Sequence, residues 1–162
     1  MTNPGDVRLQ FAMQPQERTN WCWAAVAASV AAFYQPGTDW TQCLVAENEL
    51  GRSDCCGSRG SRPCNVYWYV NKALARVGHF ESMITATASF EEVSAAIDMG
   101  RPVGIWVTWR GGGAHFLVID GVLMNDSYAV DDPTYGESDI SELALKTAYQ
   151  TRGTWKWTYF TK

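Results

Sequence analysis

Gln16-Glu17-Arg18-Thr19-Asn20-Trp21-Cys22-Trp23-Ala24-Ala25 leads into a run of alanine, valine and aromatic residues that continues to Tyr34. The run is apolar on nearly every face, which predicts a helix over Cys22–Tyr34 that lies in the interior. Asn20 or Thr19 is placed to cap its start, and Pro36-Gly37 ends it. Cys22 therefore falls at a helix N-terminus. Unpaired N–H groups and the positive end of the helix dipole favour a thiolate there, and the thiolate is the reactive form of cysteine.

Outward from that helix, the first half of the chain continues to read as helical. A second helix is expected from about Thr41 to Leu50 with Gly51 as its stop, followed by a surface loop over Arg52–Pro63. Asn65 is placed to cap a third helix reaching Val77, closed by Gly78. Ser89-Phe90-Glu91-Glu92 has the form of a capping box for a helix ending at Gly100. The pattern then changes. Pro102–Trp109, His115–Leu123 and Tyr128–Asp131 are short β-branched and aromatic runs between turn residues. A last helix over Ser141–Tyr149 and an alternating strand over Trp155–Phe160 complete the chain. This order predicts an α+β fold, a single domain over 1–162, with a helical lobe to about Ala88 and an antiparallel sheet lobe from Ser89.

Thirteen basic and seventeen acidic residues give 162 residues a net charge of -4, with no block of like charge. Nucleic-acid and membrane-surface binding both rest on clustered Lys and Arg, so neither is expected. No stretch approaches the roughly 18–20 apolar residues that span a bilayer. Met1 to Arg8 is polar and lacks the apolar core of a secretory signal. That leaves cytoplasmic residence, export by another route, or release from a longer precursor. Cys43, Cys55, Cys56 and Cys64 cluster, with Cys22 left over, as in a disulfide framework with one free reactive thiol. Four reduced thiols are the alternative; a zinc site is disfavoured because there is no CxxC pair and no nearby histidine. Adjacent Cys55 and Cys56 cannot bridge each other without severe strain, so each is expected to pair with Cys43 or Cys64.

A thiolate nucleophile needs a base, and the chain has two histidines. His79 follows the glycine that ends the third helix and reads as a turn residue. His115 follows three glycines and opens the apolar strand Phe116-Leu117-Val118-Ile119, where a polar ring requires a specific partner. It is the expected general base and acid. Asp132 lies just past the next strand, before Pro133, and is preferred over Asp131 as the carboxylate that orients the imidazole. Gln16 is placed to donate its amide to the oxyanion formed on attack.

Gln16, Cys22-Trp23, Gly113-Ala114-His115-Phe116 and Asp132-Pro133 together resemble the papain-like cysteine proteases. The likeness is greatest to compact bacterial members, including effectors injected into plant or rival bacterial cells. Asn20-Trp21-Cys22-Trp23-Ala24-Ala25, Cys55-Cys56-Gly57, Gly100-Arg101-Pro102-Val103 and Trp157-Thr158-Tyr159-Phe160 extend it over most of the chain. The resemblance implies a papain-like fold with Cys22 as nucleophile, His115 as base, Asp132 as orienter and Gln16 with the Cys22 N–H as oxyanion hole. It implies Trp23 as a packing residue and no cofactor or metal. Two departures stand out. The C-G-[SA]-C-[WY] signature is absent, with Thr19 where its first cysteine would be, and the interval from Cys22 to His115 is shorter than the roughly 130–150 residues of papain and cathepsins.

On this reading the chain hydrolyses a protein or peptide substrate through a thioester. Trp109 and Arg110-Gly111-Gly112-Gly113 are expected to line the cleft. The resemblance further implies a secreted effector or toxin, cytoplasmic before export and delivered by a route without a visible signal peptide, with a possible cognate immunity protein. A deamidase or acyltransferase using the same three residues, a peptidase trimming double-glycine leaders, and a non-catalytic binding domain on the same scaffold are the alternatives.

Overall fold

The computed structural model describes residues 4–57 and 61–162. Its centre is α1 (Cys22–Tyr34), in which every residue from Cys22 to Ala31 is buried. Small alanines let the surrounding elements approach this helix from all sides. α2 (Gln42–Leu50), α4 (Val70–Arg76) and β4 (Ala114–Leu123) pack around it. Trp23 is fully buried and donates Nε1–H to Val66 O at 2.9 Å, so replacing it with alanine would cost about 3–5 kcal/mol.

The capping signals are only partly as expected. Thr41 caps α2 by accepting the Leu44 N–H, and Gly51 closes it in the left-handed region at φ 64°. Ser89 and Glu92 form the reciprocal capping box of α5 (Phe90–Asp98). For α1, however, the N-cap is Trp21, with no side-chain bond to the first turn. Asn20 and Thr19 instead bond Asn65. Asn65 correspondingly caps nothing: the third expected helix starts only at Val70, and residues 65–69 are irregular. A four-residue helix, α3 (Ser61–Cys64), precedes them within the expected loop; residues 58–60 of that loop lie outside the described residues.

Among the described residues seven antiparallel strands form one sheet: β1 (Val7–Arg8), β2 (Phe80–Ile84), β3 (Val103–Trp109), β4, β5 (Ser127–Asp132), β6 (Gly136–Ser141) and β7 (Gly153–Thr161). The order is β2-β7-β3-β4-β5-β6, with β1 added beside β4. β1, β2 and β6 were not foreseen. The first two also place chain from before Ala88 in the sheet, so the division expected there is not clean. Alternation along β4 buries both faces. Phe116 and Val118 join the core around α1, whereas Leu117 and Ile119 join a second core beneath α5 and α6 (Glu142–Thr147).

Two disulfides, Cys43–Cys56 and Cys55–Cys64, choose one of the two pairings left open by the sequence; Cys22 is the free cysteine.

Candidate active site

β3 and β4 pair in register, with Val107 opposite His115. The turn joining them runs through Gly111, Gly112 and Gly113, at φ 95°, 109° and 86°, a conformation that side-chain-bearing residues rarely adopt. This turn sets His115 at the very start of β4. β5 pairs with β4 through Val118 and Asp131, bringing the end of β5 back beside that start. His115 Nε2–H donates to Asp132 Oδ1 at 2.8 Å. Both residues are buried.

Asp132 is the more heavily furnished of the two. Its Oδ1 also accepts the N–H groups of Thr134 (2.7 Å) and Tyr135 (3.0 Å), and its Oδ2 accepts the Tyr149 hydroxyl at 2.6 Å. Burial pushes the carboxyl up, but the bonds from His115, Tyr149 and Thr134 outweigh it and hold the pKa below the usual carboxylate value. Burial likewise lowers the imidazole, but hydrogen bonding and charge from Asp132 and then Cys22 raise it to about 9. The ring is thus poised between a buried carboxylate on one side and the free thiol on the other. Such an arrangement keeps a proton on the ring between the carboxylate and the sulfur, where it is available to a leaving group once the sulfur attacks.

Asp131, the rival carboxylate, faces the other way and accepts the Met13 N–H at 2.8 Å. His79, the rival base, bonds the Lys162 carbonyl and stacks on Tyr34. Gln16 is brought to the site by its backbone N–H, which donates to Pro133 O at 2.9 Å, and by Oε1, which accepts from Thr134 Oγ1 at 2.8 Å. Its amide donors point to the carbonyls of Arg18 (3.0 Å) and Thr19 (2.8 Å) in the turn before Cys22. To reach a substrate oxyanion the amide must exchange one of these bonds.

Cys22 opens onto a cleft of about 690 Å³, walled by Tyr67, Trp68, Trp106, Phe116, Trp157 and Tyr159. Among the described residues, no charged one lines it. Of the expected lining, Gly113 is present, whereas Trp109 stacks on His115 with ring centroids 5.8 Å apart. Arg152 in turn lies over the Trp109 ring at 5.0 Å. Tyr149 and Thr134 were missed in the sequence. Neither carries a local signal, because Thr134 reaches the site through the turn after Asp132 and Tyr149 through the chain that follows α6.

Over residues 8–162 the chain matches the family described as "Peptidase_C39 like family". No curated protein matches it. Among solved structures it is similar to the peptidase domain of Streptococcus ComA, a bifunctional ABC transporter involved in a quorum-sensing pathway. That match has 19% identity and a TM-score of 0.65, covering 94% of this chain and 98% of that one. It is also similar to a double glycine motif protease from an AMS/PCAT transporter, solved with the leader peptide, at 22% identity and a TM-score of 0.52, covering 96% and 94%. With a match over nearly its whole length and helices packed on an antiparallel sheet as in those peptidase domains, the chain belongs to the Peptidase_C39-like family and is a papain-like cysteine protease.

Proposed function

We propose that Cys22, His115 and Asp132 are the catalytic triad of an endopeptidase acting on an extended peptide segment. The observation that carries this is the buried His115–Asp132 bond of 2.8 Å, aimed from the sheet at the free thiol that begins α1. The Cys22 thiolate attacks the scissile carbonyl, and the Cys22 N–H and the Gln16 amide receive the oxyanion. Imidazolium protonates the departing amine. The thioester is then cleaved by water that His115 deprotonates, restoring the thiol. Asp132 holds the ring throughout.

The uncharged, aromatic cleft suits a substrate with large apolar side chains near the cut. The substrate is a protein of a target cell, and the chain a secreted bacterial effector or toxin restrained at home by a cognate immunity protein. Two disulfides support function outside a reducing cytoplasm. A second reading, favoured by the solved complex of the AMS/PCAT protease with its leader peptide, is cleavage after a double-glycine leader.

Intact mass after treatment with an epoxysuccinyl inhibitor tests the triad. One covalent addition is expected on wild type, lost in Cys22→Ala and slowed strongly in His115→Ala. Equal labelling of wild type and His115→Ala refutes a His-activated nucleophile. Digestion of peptide mixtures with and without Gly-Gly then separates the two substrate readings, and ammonia release without chain cleavage points to the deamidase.

A further inference from the structure

Helix α1 begins without a side-chain cap of its own, yet the residues around Cys22 are held firmly. One remote segment, Cys64–Val66, does the holding. Trp21 Nε1 donates to Cys64 O at 2.8 Å and Trp23 Nε1 to Val66 O at 2.9 Å. Between these anchors, Asn65 Oδ1 accepts the Asn20 N–H at 2.9 Å, and Asn65 O accepts Asn20 Nδ2 at 2.9 Å. Asn65 Nδ2 in turn donates to Thr19 Oγ1 at 2.8 Å. The bonds bracket the nucleophile on both sides, at Thr19, Asn20, Trp21 and Trp23.

The holding segment has little regular structure of its own: a four-residue helix before it and irregular chain after it. Its anchorage is covalent. Cys64 is bonded to Cys55, and the neighbouring Cys56 to Cys43 of α2, a helix whose Val45 and Ala46 are buried in the core. Glu47 Oε1 accepts the N–H groups of both Cys55 and Cys56. The same stretch continues into Tyr67, Trp68 and Tyr69 of the cleft wall. The Gln16 amide bonds the carbonyls of Arg18 and Thr19, so the turn that Asn65 grips is also the turn that holds the expected oxyanion donor.

We propose that Asn65 is a positioning residue for Cys22, and that the disulfide-anchored segment Cys64–Val66 makes activity depend on the oxidised state of Cys55–Cys64. This rests on Cys22 being the nucleophile. A dithiol reductant releases the grip by thiol–disulfide exchange. Its thiolate attacks one sulfur to give a mixed disulfide, and its second thiol resolves that bond. Two electrons and two protons pass to Cys55 and Cys64, which become thiols as the reductant becomes a disulfide. Asn65 then loses the covalent anchor through Cys64. A shift of about 1 Å at the reacting atoms costs up to about 100-fold in rate. The enzyme is therefore held low in a reducing compartment and becomes active on oxidation.

The test compares oxidised wild type with Asn65→Ala, Asn65→Asp and the double variant Cys55→Ser/Cys64→Ser, at equal concentrations of folded protein. Cys22 alkylation by iodoacetamide is followed by intact mass, and kcat and KM are measured on a peptide that wild type cleaves. The alkylation rate and kcat should both fall about 10–100-fold in Asn65→Ala and in the double variant, with KM changed less than about twofold. Asn65→Asp keeps the acceptor for the Asn20 N–H and should fall in between. Unchanged rates per folded molecule, or a fall in melting temperature alone, overturn the proposal. A His115→Ala control separates this failure from that of the triad: if wild type alkylates no faster than His115→Ala, the nucleophile itself is wrong.

Discussion

Tyr149→Phe removes a single oxygen from behind the site and leaves the ring packed against Trp109 and Tyr135. That oxygen donates to Asp132 Oδ2 at 2.6 Å, and both residues are buried. Oδ1 keeps its donors from His115, Thr134 and Tyr135, but among the described residues Oδ2 has only Tyr149. A hydrogen bond to a charged group contributes about 1.5–3 kcal/mol. At about 2–4 °C per kcal/mol for a domain of this size, the melting temperature at pH 7 should drop by about 3–12 °C. The pH dependence fixes the cause. Burial raises the Asp132 pKa, yet its donors hold it below 3.8, so their stabilisation is present above that value and is lost as pH falls through the folded pKa. The Tyr149→Phe deficit should therefore be full at pH 7 and shrink below about pH 4. Tyr149 does not line the cleft, so KM should hold within about twofold while kcat falls about tenfold as the imidazole loses a fixed partner. Thermal melts across this range, run as a double-mutant cycle with Asp132→Asn, measure the coupling. A coupling energy under about 0.5 kcal/mol, or a deficit that ignores pH, refutes the reasoning.

Other outcomes follow from the same geometry. Burial lowers the His115 pKa, but Asp132 and Cys22 raise it to about 9, so its charged form stabilises the fold below pH 6.5 and that contribution is lost as pH rises through about 9. Wild-type melting temperature should fall between pH 7 and 10, and His115→Gln should lack that part of the fall. Gln16→Ala should lower kcat about 10²–10³-fold with little change in KM if the amide receives the oxyanion; unchanged kcat assigns that task to the Cys22 N–H. Burial, then Asp131, pushes Asp120 up to about 7, so its ionisation opposes folding increasingly as pH rises from 3.8 through 7. The stability of Asp120→Asn relative to wild type should grow from pH 4 to pH 8 in denaturant titrations, and a flat difference contradicts this. Trp109→Ala uncovers His115 and should lower kcat more than it raises KM on a cleaved peptide.

What could be read in the sequence was what local pattern dictates. The run from Cys22 to Tyr34 has no polar face to show solvent, so its burial followed directly. His115 stood out because a polar ring opened an apolar strand. β6, Gly136–Ser141, escaped because nearly every residue of it is exposed, and its place is set by backbone pairing with β5 rather than by side-chain burial. β2, Phe80–Ile84, is likewise a mixed edge strand paired only with β7. Asn65 failed as a cap for a different reason. Its side chain is used on Thr19 and Asn20, far away in sequence, and a tertiary bond outweighed the local preference. The choice of Cys43–Cys56 with Cys55–Cys64 was equally beyond local pattern, because only the placement of α2 decides it.

Adjacent carboxylates at the end of β5 explain how Cys22 and His115 are kept in step. Successive side chains on a strand point to opposite faces. Asp132 therefore turns to His115, while Asp131 turns to the chain approaching Cys22 and holds it at the Met13 N–H. Just beyond, Pro133 O and Thr134 Oγ1 bond Gln16. One short stretch of β5 and its turn thus fixes the imidazole and also tethers the segment that delivers the thiol. A displacement of this stretch moves both partners together. From the other side Asn65 grips the same delivering segment, three residues or fewer from Cys22, and its own placement depends on Cys64. The sheet tether uses hydrogen bonds alone, whereas the Asn65 tether passes through a bond that can be reduced. Of the two constraints on Cys22, only the second can respond to its surroundings without unfolding the sheet.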